Sequence, residues 1–130
     1  MTEPGPLRRS DSVAFVASSD LDRSRAFYEG LLGLEVAGQD PMACGLRSGG
    51  TTVRVTLAPD VVVAPYTVLG WVVDDLAATV DALAARGISF LRFEGIDQDE
   101  RGIWTAPGGD DVAWFPDPDG HVLSLTQRHA

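Results

Sequence analysis

Residues 19–36 read SDLDRSRAFYEGLLGLEV, and residues 74–90 repeat the same plan as DDLAATVDALAARGISF. Each stretch begins at an Asp-Leu pair after a short apolar run, continues with apolar side chains at helical spacing, and ends at a glycine followed by another apolar run. An echo of this kind is the mark of a duplicated structural unit. The repeat therefore predicts two copies of one module in which a strand leads into a helix.

The first module is predicted to span residues 12–60 and to run strand, helix and three further strands. Residues 13–17 form a short apolar run that suits a covered strand. Asp20 is a good N-cap for the helix, and Gly33 can take the left-handed conformation that ends one. The further strands are predicted at 34–37, 43–48 and 51–58, with Gly49-Gly50 as the hairpin turn between the last two.

The second module is predicted to span residues 66–127 with the same order of elements. After a strand at 67–73, Asp74 or Asp75 caps a helix that ends at Gly87 and buries a stripe of Leu76, Val80, Leu83 and Ala84. Strands follow at 88–93, 112–115 and 122–126, with 103–106 as a short additional strand. The tetrapeptide Asp117-Pro118-Asp119-Gly120 is a strong turn signal before the last strand.

The chain of 130 residues has the size of one domain, and each module of roughly 55 residues would be marginal on its own. We therefore expect both modules to share one core in a single domain, residues 12–127. Residues 1–11 contain two prolines and two arginines and have no apolar period. They are predicted to form a flexible N-terminal tail.

The amino-acid composition limits the kinds of partner that the protein is expected to bind and the cellular compartment in which it is expected to act. Ten basic and nineteen acidic residues give a net charge of −9, which disfavours nucleic acid and anionic membrane surfaces. The acid excess either attracts a cationic small molecule or serves only solubility. Cys44 is the only cysteine, which excludes an internal disulfide and a cysteine-built zinc site and favours a reducing cytoplasm. The N-terminus lacks the apolar stretch of a signal peptide, and residues 61–73 are too few to span a bilayer.

Strand alternation separates a helix-facing side of the sheets from an opposite, concave side. Successive side chains on a strand point to opposite faces, and the helices need an apolar face to cover. That apolar face is supplied by Leu69, Trp71, Val73, Leu123 and Leu125. By elimination, the concave side is predicted to carry Val13, Phe15, Ala17, Val68, Gly70, Val72, Val122, Ser124 and Thr126.

The order of these motifs resembles that of the vicinal oxygen chelate superfamily, which includes glyoxalase I, extradiol dioxygenases, fosfomycin-resistance proteins and bleomycin-resistance proteins. The resemblance covers residues 12–127 and rests on residues 19–24 with Phe27-Tyr28 and Leu32-Gly33-Leu34, on Asp74-Asp75-Leu76, and on WFPDPDGH at 114–121. It implies an α+β fold in which two strand-helix-three-strand modules form curled mixed sheets around a cavity, with the helices on the outer face. It also implies a homodimer, because a second copy often completes the cavity.

The resemblance also implies where a metal ion would bind. In metal-dependent members a His opens the first strand of each module, seven residues before the Asp of the Asp-Leu pair, and a Glu follows the Asp-Pro-Asp-Gly turn. The matching positions here are Val13, Val68 and Ser124. Valine has no lone pair to donate, and a serine hydroxyl is a poor substitute for a carboxylate as a ligand of a divalent ion. We therefore expect no metal, no other cofactor and no catalytic residue at this site.

The predicted ligand site combines flat aromatic walls with few polar groups, as in many small-molecule pockets. Its candidate residues are Phe15, Phe93, Trp104, Trp114, Val68, Ser124 and Arg54. Arg54 shares a strand face with Thr52 and Thr56, where it either binds a ligand carboxylate or carbonyl or pairs with an acidic residue across the sheet.

Two residues with reactive side chains have structural interpretations instead. His121 follows the turn glycine and is predicted to support the turn. Cys44 lies in a short apolar strand with no basic neighbour in sequence, so it is predicted to be a buried small hydrophobic residue.

The sequence favours a metal-free protein that binds and sequesters an apolar or aromatic small molecule, cationic or neutral, such as an antibiotic. The alternative is a glyoxalase-like lyase, isomerase or dioxygenase that uses a displaced metal or a loop carboxylate such as Asp97 or Glu100. A structural or regulatory interaction protein without a ligand is a third class that the residues leave open.

Overall fold

The computed structural model describes residues 5–129. Of the flexible tail predicted for residues 1–11, residues 1–4 lie outside the described residues. Residues 5–10 are exposed and form turns, in which the Arg8 amide donates to the Gly5 carbonyl and the Ser10 amide to the Leu7 carbonyl. The first regular element after these turns is the strand that begins at Val13.

The first module forms a mixed four-stranded sheet, called sheet A. Its elements are β1 (Val13–Ser18), α1 (Leu21–Arg25), a π-helical continuation (Ala26–Leu31), β2 (Glu35–Asp40), β3 (Ala43–Ser48) and β4 (Thr51–Leu57). The strand order is β1-β4-β3-β2, with β1 parallel to β4 and the other neighbours antiparallel.

Local chemistry explains where this helix starts and stops. The Asp20 carboxylate accepts the Arg23 backbone N–H at 3.1 Å, as an N-cap does. Five-residue spacing, with the Leu32 amide donating to the Phe27 carbonyl at 2.9 Å, turns the helix into a π-helix. Both Phe27 and Tyr28 are buried in this segment. Gly33 then ends the helix at a φ of 81°, which only glycine adopts without strain.

The second module repeats the topology in sheet B. Its elements are β5 (Thr67–Val72), α2 (Leu76–Ala85), β6 (Trp104–Thr105), β7 (Asp111–Pro116) and β8 (Val122–Gln127). The order β5-β8-β7-β6 matches sheet A, and β5 runs parallel to β8. The two mixed sheets with their helices confirm the α+β prediction, although they do not close into a barrel within residues 5–129.

The strand predicted at 88–93 is wrong. In the structure this segment pairs with no neighbouring strand. Its backbone groups bond instead to the Gln98 side chain, which accepts from the Phe93 amide at 2.7 Å and donates to the Leu91 carbonyl at 3.0 Å. One further bond joins the Leu91 amide to the Trp114 carbonyl. The segment that was predicted as a short additional strand becomes β6 instead, and it spans only residues 104–105.

One hydrophobic core serves both modules, as their size predicts. Phe115 of sheet B is fully buried, and its ring lies 6.3 Å from that of Phe27 in the first module. It also stacks at 6.3 Å on Trp71 and lies 5.5 Å from Phe90. Within residues 5–129, no helix has the length and hydropathy required to cross a membrane.

The Asp-Pro-Asp-Gly-His turn joins the modules. The Tyr28 hydroxyl donates to Asp117 Oδ2 at 2.8 Å, and Asp117 Oδ1 accepts the backbone N–H of Asp119 and of His121. His121 is buried, and its Nε2 donates to the Ala17 carbonyl of β1 at 2.8 Å. Burial, with Asp117 nearby, raises the pKa of the Tyr28 phenol far above its usual range. His121 therefore supports the turn and also ties it to the other module.

Candidate functional site

Each sheet keeps one face that the helices do not cover, called its open face. Burial follows strand alternation: Val16 is 4% exposed and Phe15 is 68% exposed, whereas Leu125 is 4% and Val72 is 56% exposed. The side chains expected on the concave side therefore point away from the helices. In a single chain both open faces are accessible to solvent.

An aromatic cluster occupies the open face of sheet B and consists of Phe93, Trp104 and Trp114. The Phe93 and Trp114 rings meet edge to face with centroids 5.3 Å apart at 88°. The Trp104 and Trp114 rings lie 6.0 Å apart at 33°. Such geometries leave ring faces and edges on which a further planar ring can pack.

The strand register places two more candidate residues beside the aromatic cluster. Trp114 pairs with Ser124, and Ser124 pairs with Gly70, so the three residues form one row across β7, β8 and β5. Val68 lies at an irregularity of β5, between Thr67 and Leu69, and it is exposed together with Thr67, at 41% for Val68. The structure thus gathers Val68, Phe93, Trp104, Trp114 and Ser124 on one open face.

Phe15 and Arg54 lie on the open face of sheet A, where they are partners in the β1-β4 register. Arg54 Nη2 is 3.9 Å from Asp40 Oδ2, so an acidic partner exists within the chain. The two side chains of this pair are 45% and 56% exposed, and an exposed pair of this length contributes little to stability. The guanidinium is therefore only loosely held in its position.

The residues present do not fit the metal site of metal-dependent relatives. Val13 is on sheet A, while Val68 and Ser124 are on sheet B, and together they offer a single neutral hydroxyl. Across the described range, 5–129, no three His, Cys, Asp or Glu side chains come together in a way that holds a metal ion. His121 and His129 do not change this, because His121 is bonded to the Ala17 carbonyl.

A cavity of about 550 Å³ lies between the start of α2 and the edge of sheet B, and Trp104 is the one member of the aromatic cluster that lines it. Trp104 forms one wall, and the carboxylates of Asp97, Asp99 and Asp111 lie around it. Glu100 lines a different cavity, farther along α2, so of the two loop carboxylates named as candidate bases only Asp97 lines the cavity that contains Trp104. The sequence identifies Asp97 and Glu100 as loop carboxylates, but which of them lies near Trp104 depends on the path of the loop in the folded protein.

Cys44 is buried on β3, and burial raises the pKa of its thiol. A thiol with a raised pKa forms little thiolate, so Cys44 is no nucleophile at neutral pH. This agrees with its interpretation as a small hydrophobic residue.

Comparison with known proteins gives one matching family and many similar structures. The model of the Glyoxalase/Bleomycin resistance protein/Dioxygenase superfamily matches residues 9–125. No curated protein matches the chain.

Three solved structures represent the similar folds. A superfamily member from Sphaerobacter thermophilus DSM 20745 has a TM-score of 0.73 and 21% identity, covering 94% of this chain and 99% of that chain. A lactoylglutathione lyase from Agrobacterium tumefaciens has a TM-score of 0.72 and 16% identity, covering 95% and 96%. A glyoxalase/bleomycin resistance protein/dioxygenase from Alicyclobacillus acidocaldarius has a TM-score of 0.70 and 19% identity, covering 94% and 93%. At these identities the likeness concerns the fold alone.

Proposed function

The chain belongs to the glyoxalase/bleomycin resistance protein/dioxygenase superfamily, and from this premise we propose that it binds a planar, largely apolar small molecule on the open face of sheet B. It holds the molecule without a metal ion and releases it unchanged. The observation that carries the proposal is the aromatic cluster of Phe93, Trp104 and Trp114 on a face that no helix covers.

The composition of this face supports binding rather than catalysis. Its strand positions are Thr67, Val68, Gly70, Val72, Val112, Trp114, Pro116, Val122, Ser124 and Thr126, which are apolar apart from three hydroxyls. General acid-base catalysis needs a titratable group within hydrogen-bond reach of the reacting atoms, and these strands supply none. Burial of rings against Trp104 and Trp114 supplies affinity, and a few polar groups supply orientation.

A second copy of the chain is proposed to close the site. Large apolar side chains are exposed on both open faces, including Phe15 at 68% and Val72 at 56%, and a contiguous exposed apolar surface marks an interaction site. The proposed homodimer buries these side chains and encloses the ligand between copies. The cavity carboxylates beside Trp104, with the net charge of −9, favour a neutral or cationic ligand over an anion. The proposed compartment is the cytoplasm, where the lone Cys44 stays reduced.

The proposal is tested by titrating the protein with proflavine and with bleomycin while tryptophan emission is recorded. We expect saturable quenching, full recovery of the compound by chromatography, and at least a roughly tenfold loss of affinity in Trp114→Leu, because that ring contacts both other members of the cluster. Tyr66→Leu is the matched control, since it removes an exposed aromatic ring outside the cluster.

Two results would argue against the proposal. Chemical conversion of either compound during incubation would indicate an enzyme. Unchanged affinity in Trp114→Leu, with an intact unfolding transition, would place the ligand elsewhere. Sedimentation at the same protein concentration reports whether the bound form is a dimer.

A further inference from the structure

Gly70 lies in the interior of β5, where glycine is normally unfavourable. Glycine in a strand weakens it by loss of backbone entropy and side-chain packing, by about 0.5–1 kcal/mol relative to alanine. Gly70 is not among the glycines with positive φ, so its backbone conformation does not require glycine. A different physical reason must account for the missing side chain.

That reason is the side chain of Ser124 on the neighbouring strand. A β-carbon built at Gly70 would overlap Ser124 Oγ, and it would also lie 3.3 Å from the Ser124 carbonyl oxygen. Leu69 and Trp71, on either side of Gly70, face the core, so the absent β-carbon would point to the open face. The Ser124 hydroxyl therefore leans across the open face into the space that Gly70 leaves.

Gly70 and Ser124 have smaller side chains than the residues in the neighbouring rows of the open face. Gly70 and Ser124 stand beside Trp114 in register, whereas the next row holds Val72, Thr126 and Val112, and the preceding row holds Thr67, Val122 and Pro116. Small side chains between larger ones leave a notch one residue wide. Its floor is the β5 backbone, its end wall is the indole of Trp114, and its polar group is the Ser124 hydroxyl.

The chemistry of this notch selects one part of a ligand. A ring whose face or edge packs on Trp114 can extend over Gly70, where it meets the Ser124 hydroxyl instead of a side chain of residue 70. A serine hydroxyl offers one donor and two acceptor sites, so it can bond a carbonyl, a ring N–H or a ring nitrogen at the ring edge. Close approach of a ligand to backbone is a recognised reason for glycine within a strand.

We propose that Gly70 and Ser124 form a specificity notch that receives the hydrogen-bonding edge of a planar ring lying against Trp114. This inference rests on the proposed function and deepens it, because it names the ligand class as planar rings with a polar edge rather than plain hydrocarbons. Gly70 acts by making space, and Ser124 acts by direct hydrogen bonding.

The test uses two probes of matched shape, 2-quinolone with an edge amide and naphthalene without one. Binding is followed by NMR of the tryptophan indole N–H signals, in which Trp71 is an internal reference because it packs in the core and donates to Ser48. We expect the native protein to prefer 2-quinolone about fivefold, the ratio that one neutral hydrogen bond typically provides. Ser124→Ala should abolish the preference and leave naphthalene affinity unchanged.

The Gly70→Ala variant tests the role of the missing side chain at position 70 separately from the hydrogen bond of Ser124. This variant should melt close to the temperature of the native protein: the serine hydroxyl can rotate away, and the smaller entropy cost of alanine offsets the small backbone shift required by the 3.3 Å contact with the Ser124 carbonyl oxygen. It should nevertheless bind both probes several-fold more weakly. Gly38→Ala is the matched control, because it is a strand glycine whose added β-carbon would meet nothing within 4 Å.

Each outcome bears on the notch. Equal affinity of the native protein for the two probes, or a preference that survives Ser124→Ala, overturns the notch while leaving the open-face function intact. Failure of both probes to shift the Trp104 and Trp114 signals overturns the notch and the proposed function together.

Discussion

Replacing Tyr28 by phenylalanine removes one hydroxyl from the junction between the two modules. That hydroxyl donates to Asp117 Oδ2 at 2.8 Å, and both residues are buried, at 0% and 5% exposure. A hydrogen bond to a charged group contributes about 1.5–3 kcal/mol, and the carboxylate oxygen that remains is left without its partner. We expect Tyr28→Phe to lower the free energy of unfolding by about 2 kcal/mol, or the melting temperature by roughly 6–8 °C.

The stability difference between native protein and Tyr28→Phe should also depend on pH with a defined sign. Burial and Asp117 raise the pKa of Tyr28 in the folded state, while in the unfolded chain it is about 10. Above pH 10 the unfolded chain therefore releases a proton that the folded protein keeps, so the contribution of Tyr28 is complete below pH 10 and declines above it. The contribution of Tyr28 to the free energy of unfolding falls by about 1.4 kcal/mol per pH unit above pH 10. The native protein and Tyr28→Phe should therefore become equally stable at about pH 11.5.

The composition of the chain makes this experiment clean. All ten basic residues are arginines, so no lysine titrates in this pH range, and Cys44 and Tyr66 are common to both proteins. Urea unfolding followed by circular dichroism between pH 7 and 11.5 measures the difference. Tyr66→Phe is the matched control, because Tyr66 is exposed and its loss should change stability little. A difference that stays constant or grows above pH 10 would refute the reasoning.

Three further outcomes are expected. Asp75→Ala should destabilise the protein by about 1 kcal/mol in urea unfolding, because the Asp75 carboxylate caps α2 by accepting the Ala78 amide at 3.0 Å; no loss of stability would show that the cap is energetically silent. Ellman's reagent should react with Cys44 only on unfolding, since the thiol is buried and its pKa is raised; rapid reaction of the folded protein would contradict this. Adding Zn²⁺, Ni²⁺ or Mn²⁺, or removing metals with EDTA, should leave the melting temperature unchanged, because Val13, Val68 and Ser124 cannot bind a divalent ion; a rise with saturating metal would disprove the absence of a site.

The open faces of the sheets could be predicted in outline because strand alternation is a local property. The exposed Phe15 and Val72 and the buried Val16 and Leu125 follow it. What the pattern could not show is that Phe93, Trp104 and Trp114 touch one another, since Phe93 lies in a segment expected to be a strand and found to be a loop. That error arose because Gln98 satisfies the backbone of this loop through its side chain, a bond that no apolar pattern reveals.

Arg54 also shows which features the sequence pattern predicts and which depend on the tertiary structure. Its face on β4 followed from alternation with Val53 and Val55, but its partner did not, because Asp40 lies on β2 at the far edge of the sheet. The sequence left a ligand and an acidic partner equally open. Only the strand order brings a particular carboxylate within 3.9 Å.

The amino-acid sequence by itself determined the duplicated plan, the helix starts at Asp20 and at Asp74 or Asp75, the stop at Gly33, and the lack of metal ligands at Val13, Val68 and Ser124. Capping, glycine conformations and alternation act within about four residues along the chain, so they can be read in order. The tertiary structure alone decided that Tyr28 meets Asp117 across 89 positions of sequence and that Ser124 fills the space above Gly70. Such contacts depend on how two whole modules pack into one core, and many distant pairs of residues would satisfy the local rules equally well.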